Sequence, residues 1–162
     1  MSNAAKFGKV AVLFGGKSAE RAVSLDSGQA VLEALLRSGV QAEAFDPQAR
    51  SVTELVGYDR AFIVLHGRGG EDGQIQGVLE WLNLPYTGTG VQGSAIGMDK
   101  VKTKQVWQGS DLPTAPYRII TKDSDLDAVV ADLGLPVIIK PVHEGSSVGM
   151  SKVEKAEDFA AA

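Results

Sequence analysis

From Val10 to Phe14 every position is apolar, and Gly15-Gly16 closes the run. An unbroken apolar run of this length suits a strand covered on both faces, and hence a parallel sheet layered by helices. Leu25, Gly28, Leu32, Leu35 and Leu36 then recur at three- and four-residue spacing, with Gly39 in the position of a C-terminal cap. That spacing predicts a helix with one apolar face. Val40–Phe45 predicts a second strand, and Ala61–Leu65 a third that runs into the glycine-rich segment His66–Gly73. Ile75, Val78, Leu79 and Leu82 mark another amphipathic helix. Leu84-Pro85-Tyr86-Thr87 reads as a short edge strand, because proline cannot donate to a central ladder. Strands alternating with helices predict a doubly wound α/β domain over residues 8 to about 98.

The texture changes after Met98. Asp99–Gln108 is a polar helical stretch carrying Lys100, Lys102 and Lys104, which reads as a solvated face with at most one lysine turned inward. Pro113 and Pro116 bracket a connection, Tyr117–Ile120 predicts a short strand, and Asp123–Leu133 a helix. Pro136–Pro141 is a strand ending in Lys140, the Gly/Ser segment Glu144–Gly149 follows, and Met150–Val153 returns as a strand. A further helix is expected from about Glu154. The division expected is residues 1–98 as one domain and 99–162 as the beginning of another.

Composition narrows the function classes. With 44% hydrophobic and 22% charged residues the chain is globular rather than disordered. Its net charge of −4 is spread evenly, with no basic patch for nucleic acid and no polybasic arm for a membrane surface. No apolar run approaches the ~18 residues of a spanning helix. The absence of cysteine excludes disulfides, thiolate metal sites and thiol nucleophiles, and fits a cytoplasmic location. Nineteen glycines exceed the usual share of about 7% and call for turns or phosphate loops. Neither early glycine loop matches the Gly-x-Gly-x-x-Gly fingerprint in the strand–helix context of a dinucleotide site, and there is no Walker loop.

The residues suited to chemistry cluster at strand ends. Lys140 closes an apolar strand directly before a Gly/Ser loop, an arrangement that lets backbone N–H groups and hydroxyls approach a polyphosphate while the lysine offsets its charge. A plain hairpin with a mobile tip is the alternative. Glu20 lies near the start of the first helix, where it either serves the positive helix end or projects into the crevice beyond the first strand. His66 closes the third strand on the same sheet edge, and is open to a structural role as well as a ligand-binding one. Two histidines without paired carboxylates do not make a metal site.

Phe14-Gly15-Gly16-Lys17-Ser18-Ala19-Glu20-Arg21, the block His66–Gly73, Tyr86-Thr87-Gly88, Met98-Asp99-Lys100 and Lys140-Pro141 followed by Glu144–Gly149 occur in that order. Together they resemble the amino-terminal half of bacterial D-alanine–D-alanine ligases, members of the ATP-grasp superfamily. The resemblance covers residues 8–155. It implies a doubly wound parallel-sheet, pre-ATP-grasp domain, followed by the start of an α+β ATP-grasp domain. It implies that Glu20 holds the ammonium of the first D-alanine, that His66 stands beside that substrate's carboxylate, and that Ser146 hydrogen-bonds with the glutamate to close the site. Glu20 and Ser146 are thereby the expected catalytic residues. Lys100, Lys140, Glu144, Ser147, Val148 and Gly149 are the expected ATP contacts. One departure is Ala22, where the family usually has a second glutamate.

What the resemblance implies overall is ATP-dependent joining of two D-alanines through an acylphosphate, for peptidoglycan synthesis. ATP and Mg2+ (or Mn2+) are the expected cofactors, and a homodimer through residues 1–98 the expected assembly. The metal ligands are expected in a second half beyond these 162 residues. The chain by itself is accordingly expected to be an inactive fragment, and a ligase for another D-amino or hydroxy acid, or a non-catalytic binding module, are the alternatives.

Overall fold

The computed structural model describes residues 3–161. The chain forms two compact units, Met1–Gly97 and Met98–Ala162.

In the first unit β1 (Lys9–Leu13) lies between β2 (Gln41–Phe45) and β3 (Arg60–Ile63), both parallel to it. Burial explains the middle position. Ala11, Val12 and Leu13 are wholly buried, because side chains of β1 alternate between two covered faces. Ala11 and Leu13 join Phe45, Ala61, Leu55, Ile75 and Leu79 in the larger core, on the side of the 3-10 helix Val52–Gly57 and of α2 (Gln74–Trp81). Val10 and Val40 pack with Leu35, Ala42 and Phe62 on the opposite side, against α1 (Arg21–Arg37). Layers on both faces make the unit doubly wound.

β2 is the lighter edge, with most of its side chains exposed and Lys9 bridging to Glu43 at 2.8 Å. On the other edge, the expected strand Leu84–Thr87 forms a single parallel bridge, Ala61 with Tyr86. Ala61 N–H donates to Pro85 O at 2.9 Å and Thr87 N–H to Ala61 O at 3.2 Å. Proline leaves that segment one donor short, which limits the ladder. α3 (Val91–Met98) follows.

α1 can lie close to β1 because of Gly28. A β-carbon there would fall 2.1 Å from Cγ of the buried Phe14. The loop between β1 and α1 is fastened to the end of β2 by Arg21, whose Nη1 donates to Gly16 O at 2.8 Å and whose Nη2 pairs with Asp46 at 2.7 Å. Asp46 also accepts from Gly16 N–H at 3.0 Å and Gln48 N–H at 2.9 Å. Burial works to raise the Asp46 pKa, but the Arg21 hydrogen bond and those two backbone N–H groups outweigh it and hold the carboxyl below its usual range.

The second unit contains α4 (Lys100–Gly109), α5 (Leu126–Leu133) and an antiparallel pair, β4 (Val137–Ile139) with β5 (Ser151–Val153). Asp99 and Asp125 cap the two helices, accepting from Lys102 N–H at 2.9 Å and Ala128 N–H at 3.1 Å. The strand expected at Tyr117–Ile120 does not form; that segment is irregular and has no ladder partner among the described residues. The helix expected from Glu154 is a 3-10 helix, Ala156–Ala161. None of the described helices is long and apolar enough to cross a membrane.

Two outcomes follow from this packing. Gly28→Ala raises helix propensity by about 1 kcal/mol, yet it drives a β-carbon into Phe14. The expected net result is destabilisation by roughly 1–3 kcal/mol, and Phe14→Leu should relieve part of it in a double-mutant cycle followed by urea denaturation. Asp46 has a depressed folded-state pKa, so its contribution is present above the unfolded carboxylate value and is lost as pH falls through the folded one. Asp46→Asn should cost about 1.5–3 kcal/mol at neutral pH, and the gap to wild type should shrink below about pH 4. A gap that persisted in acid would assign the effect to something other than the charge.

Candidate functional site

The carboxyl ends of β1, β2 and β3 share one edge, where α/β sheets bind ligands. Glu20, His66 and the loop 66–73 lie on that edge. Glu20 occupies the N-cap position of α1, but its side chain makes no cap hydrogen bond. This differs from Asp99, Asp125 and Ser51, which all cap their helices. The carboxylate turns instead toward the loop after β3: a β-carbon on Gly67 would lie 2.8 Å from Glu20 Oε2. The helix-end role left open by the sequence does not account for this orientation.

Serines near the start of α1 attach it to the end of β3. Ser18 Oγ donates to His66 O at 2.7 Å and accepts from Glu20 N–H at 3.2 Å. Ser24, wholly buried, accepts from Gly15 N–H at 2.9 Å and donates to Val64 O at 2.7 Å. Ser27 Oγ stands 3.1 Å from His66 Nε2. These serines, together with Arg21 and Asp46, position the site without having been singled out as its residues by the sequence. The hint available was the spacing of Ser24 and Ser27, which falls on the α1 face that also carries the close-packed Gly28.

The loop 66–73 is closed by its own carboxylates. Gly67 N–H donates to Glu71 Oε2 at 3.0 Å, and Gly69 N–H to Asp72 Oδ2 at 2.9 Å. Gln76, almost fully buried, donates from Nε2 to Gly70 O at 2.7 Å. Backbone donors already committed in this way make a rigid turn rather than a phosphate cradle.

The second unit carries the other group of expected residues. Lys140 follows β4 directly and is exposed. The chain then turns through Glu144–Gly149 into β5, with Val148 N–H donating to Gly145 O at 2.9 Å. Ser146 and Ser147 both adopt left-handed backbone angles, φ +48 and +63. Non-glycine residues held there store on the order of 1–3 kcal/mol of strain each and cluster at ligand clamps and switch regions. Gly149, at φ +66, brings the loop back over Pro141, whose Cγ would sit 2.9 Å from an added β-carbon. Lys100 Nζ donates to Glu144 O, and Lys100 N–H to Val142 O at 3.1 Å.

The lysines of α4 depart from the expected solvated face. Lys104 as well as Lys100 turns back onto its own unit, donating to Thr114 Oγ1 at 2.8 Å and Ala115 O at 2.7 Å over the Tyr117 ring. Lys104 finds its acceptors at Thr114 and Ala115, and Lys100 at Glu144. His143 pairs with Asp99 at 3.2 Å, and the Asp99 carboxyl is held below its usual range, chiefly by the Lys102 N–H. Among the described residues no three His, Asp or Glu side chains stand close enough to hold a metal ion.

Residues 38–89 match the family described as D-ala D-ala ligase N-terminus, and residues 106–162 the one described as D-ala D-ala ligase C-terminus. The chain is 93% identical over all 162 residues to a D-alanine–D-alanine ligase of Acinetobacter baumannii, covering 53% of that protein. It is 89% identical to the enzyme of that name from Acinetobacter baylyi, covering 52% of it. Among solved structures, a D-alanine–D-alanine ligase from Bacillus anthracis superposes with a TM-score of 0.82 at 31% identity, over 94% of this chain and 51% of that one. The same organism's ligase complexed with ATP gives 0.80 at 28%, over 95% and 53%. The chain thus spans about half the length of the curated relatives it matches. It belongs to the D-alanine–D-alanine ligase family, whose amino-terminal half it represents.

Proposed function

We propose that this chain supplies the first-substrate and part of the nucleotide machinery of an ATP-dependent ligase that joins two D-alanines for peptidoglycan synthesis in the cytoplasm. The observation that carries the reading is near-identity, across every residue of the chain, to enzymes bearing that name. The side-chain geometry supports it at Glu20, a carboxylate at a helix start that is turned away from capping.

In the proposed reaction the γ-phosphoryl group of ATP passes to a carboxylate oxygen of the first D-alanine, giving an acylphosphate and ADP. The amine of the second D-alanine attacks the acyl carbon, the C–O bond to phosphate breaks, and inorganic phosphate and a proton leave. Glu20 holds the first ammonium, His66 lies beside its carboxylate, and Ser146 completes the substrate contacts. Lys100, Lys140, Glu144 and Ser147–Gly149 attend the nucleotide, where catalysis is mostly positioning and electrostatic. Lys140 suits this role as an exposed cation beside a strained loop. Magnesium would supply charge compensation when bound; the described residues offer it no ligand cluster. Association of two copies through residues 1–98 belongs to the same reading, and sedimentation of the complete enzyme checks it.

The roles divide cleanly in a kinetic test of the complete enzyme. Glu20→Gln should depress turnover and raise the KM for the first D-alanine while ATP affinity stays nearly unchanged. Lys140→Ala should weaken an ATP analogue by about 1.5–3 kcal/mol in calorimetric titration, leaving the amino-acid KM largely intact. Reversal of that pattern would mean that the two residues are assigned to the wrong substrates.

A further inference from the structure

Two of the contacts of Ser27 together determine more than either alone. Its Oγ lies 2.7 Å from Val23 O, one turn earlier in α1, and 3.1 Å from His66 Nε2. A serine hydroxyl has a single proton and two acceptor lone pairs. The helix carbonyl can only accept, so it takes that proton, as serines in helices commonly arrange. The oxygen then faces His66 with a lone pair, and Nε2 must be the donor. We infer that Ser27 is a positioning residue for His66: it holds the proton of the neutral imidazole on Nε2 and leaves Nδ1 as the ring atom a ligand engages.

The rest of the residue is held too. His66 O accepts from Ser18 Oγ at 2.7 Å, so backbone and ring are both tied to α1 and the loop before it. The next residue is fixed by the Gly67 N–H to Glu71 hydrogen bond at 3.0 Å. Which ring nitrogen of a histidine does the chemistry is commonly set by what the other one bonds. Here the hydroxyl that sets it belongs to the same helix that begins at Glu20. The consequence for binding rests on the reading that His66 stands beside the first D-alanine; the assignment of the proton does not.

The proton assignment is tested on this chain by an imidazole proton–nitrogen correlation spectrum of labelled histidine, with His143→Gln leaving His66 as the one remaining histidine. Wild type should show a protonated Nε2, an unprotonated Nδ1 and slowed exchange of the Nε2 proton with water. Ser27→Ala should lose the slowed exchange and move toward the mixed tautomers of free histidine, and Ser27→Thr, which keeps the hydroxyl, should restore the wild-type spectrum. A proton on Nδ1 in wild type, or a Ser27→Ala spectrum identical to wild type, overturns the inference. In the complete enzyme, Ser27→Ala should raise the KM for the first D-alanine roughly three- to tenfold with kcat much less affected, and threonine should rescue it. If His66→Ala raises that KM and Ser27→Ala does not, the positioning role falls. If neither variant changes it, the placement of His66 at the substrate falls, and the spectrum still decides the tautomer.

Discussion

A single buried hydroxyl holds the sheet edge together. Ser24 lies on α1, yet its oxygen accepts from the N–H of Gly15, just beyond β1, and donates to the carbonyl of Val64, just beyond β3. Where parallel strands end, their ladder ends too, and the next backbone groups need partners from elsewhere. Ser24 supplies both at once, and it is itself wholly buried. Serine suits the task because it is small and has one donor and two acceptor positions. A buried polar group left without its partner costs about 1–3 kcal/mol, so the three elements are kept in one relation. Ser18 and Ser27 repeat the device at the next residues of the same edge, and Glu20 and His66 inherit their positions from it.

The second unit reaches a comparable result by opposite means. Its two strands are antiparallel, so the chain must reverse between them, and the reversal is long and strained rather than a two-residue turn. Ser146 and Ser147 sit in left-handed conformations that glycine would adopt without cost. Such strain persists only where surroundings over-determine it. Lys100 contributes by holding the Glu144 carbonyl, and Gly149 by letting the loop close over Pro141. At this edge the first unit is therefore tied together by hydrogen bonds, whereas the second concentrates backbone strain next to its exposed lysine.

Much of this was legible in the residues. The apolar runs of β1 and β3 announced strands covered on both sides, and the stripe Ile75, Val78, Leu79 announced α2. What escaped has physical reasons. The Arg21–Asp46 pair becomes visible only when β1 and β2 lie side by side, since the two residues are 25 positions apart. α3 has glycine, serine and alanine through its middle and no apolar stripe, so periodicity could not reveal it. Tyr117–Ile120 has strand-forming side chains but no neighbouring ladder, and a strand without a partner leaves its backbone to other acceptors and donors. Glu20 and His66 were placed on the right edge by the pattern alone, but the direction of each side chain depended on serines that read as ordinary helix residues.

The two lysines expected at the nucleotide are not equivalent. Lys100 already gives one N–H to Glu144 O, while Lys140 is exposed to solvent. An ammonium group has three donors, so Lys100 can keep that carbonyl and still offer hydrogen bonds to an anion. An anion arriving there would meet a cation whose flexible stem is already ordered, which removes part of the entropic cost of immobilising a lysine, up to about 2 kcal/mol. Lys140 has that cost still to meet, together with the cost of giving up water around its ammonium group. Charge at Lys100 is also mechanically joined to the loop, because the carbonyl it holds begins the segment that runs through both left-handed serines. Under the proposed function, Lys140 is therefore the freer of the two cations for a phosphate, and Lys100 the one already joined to the loop.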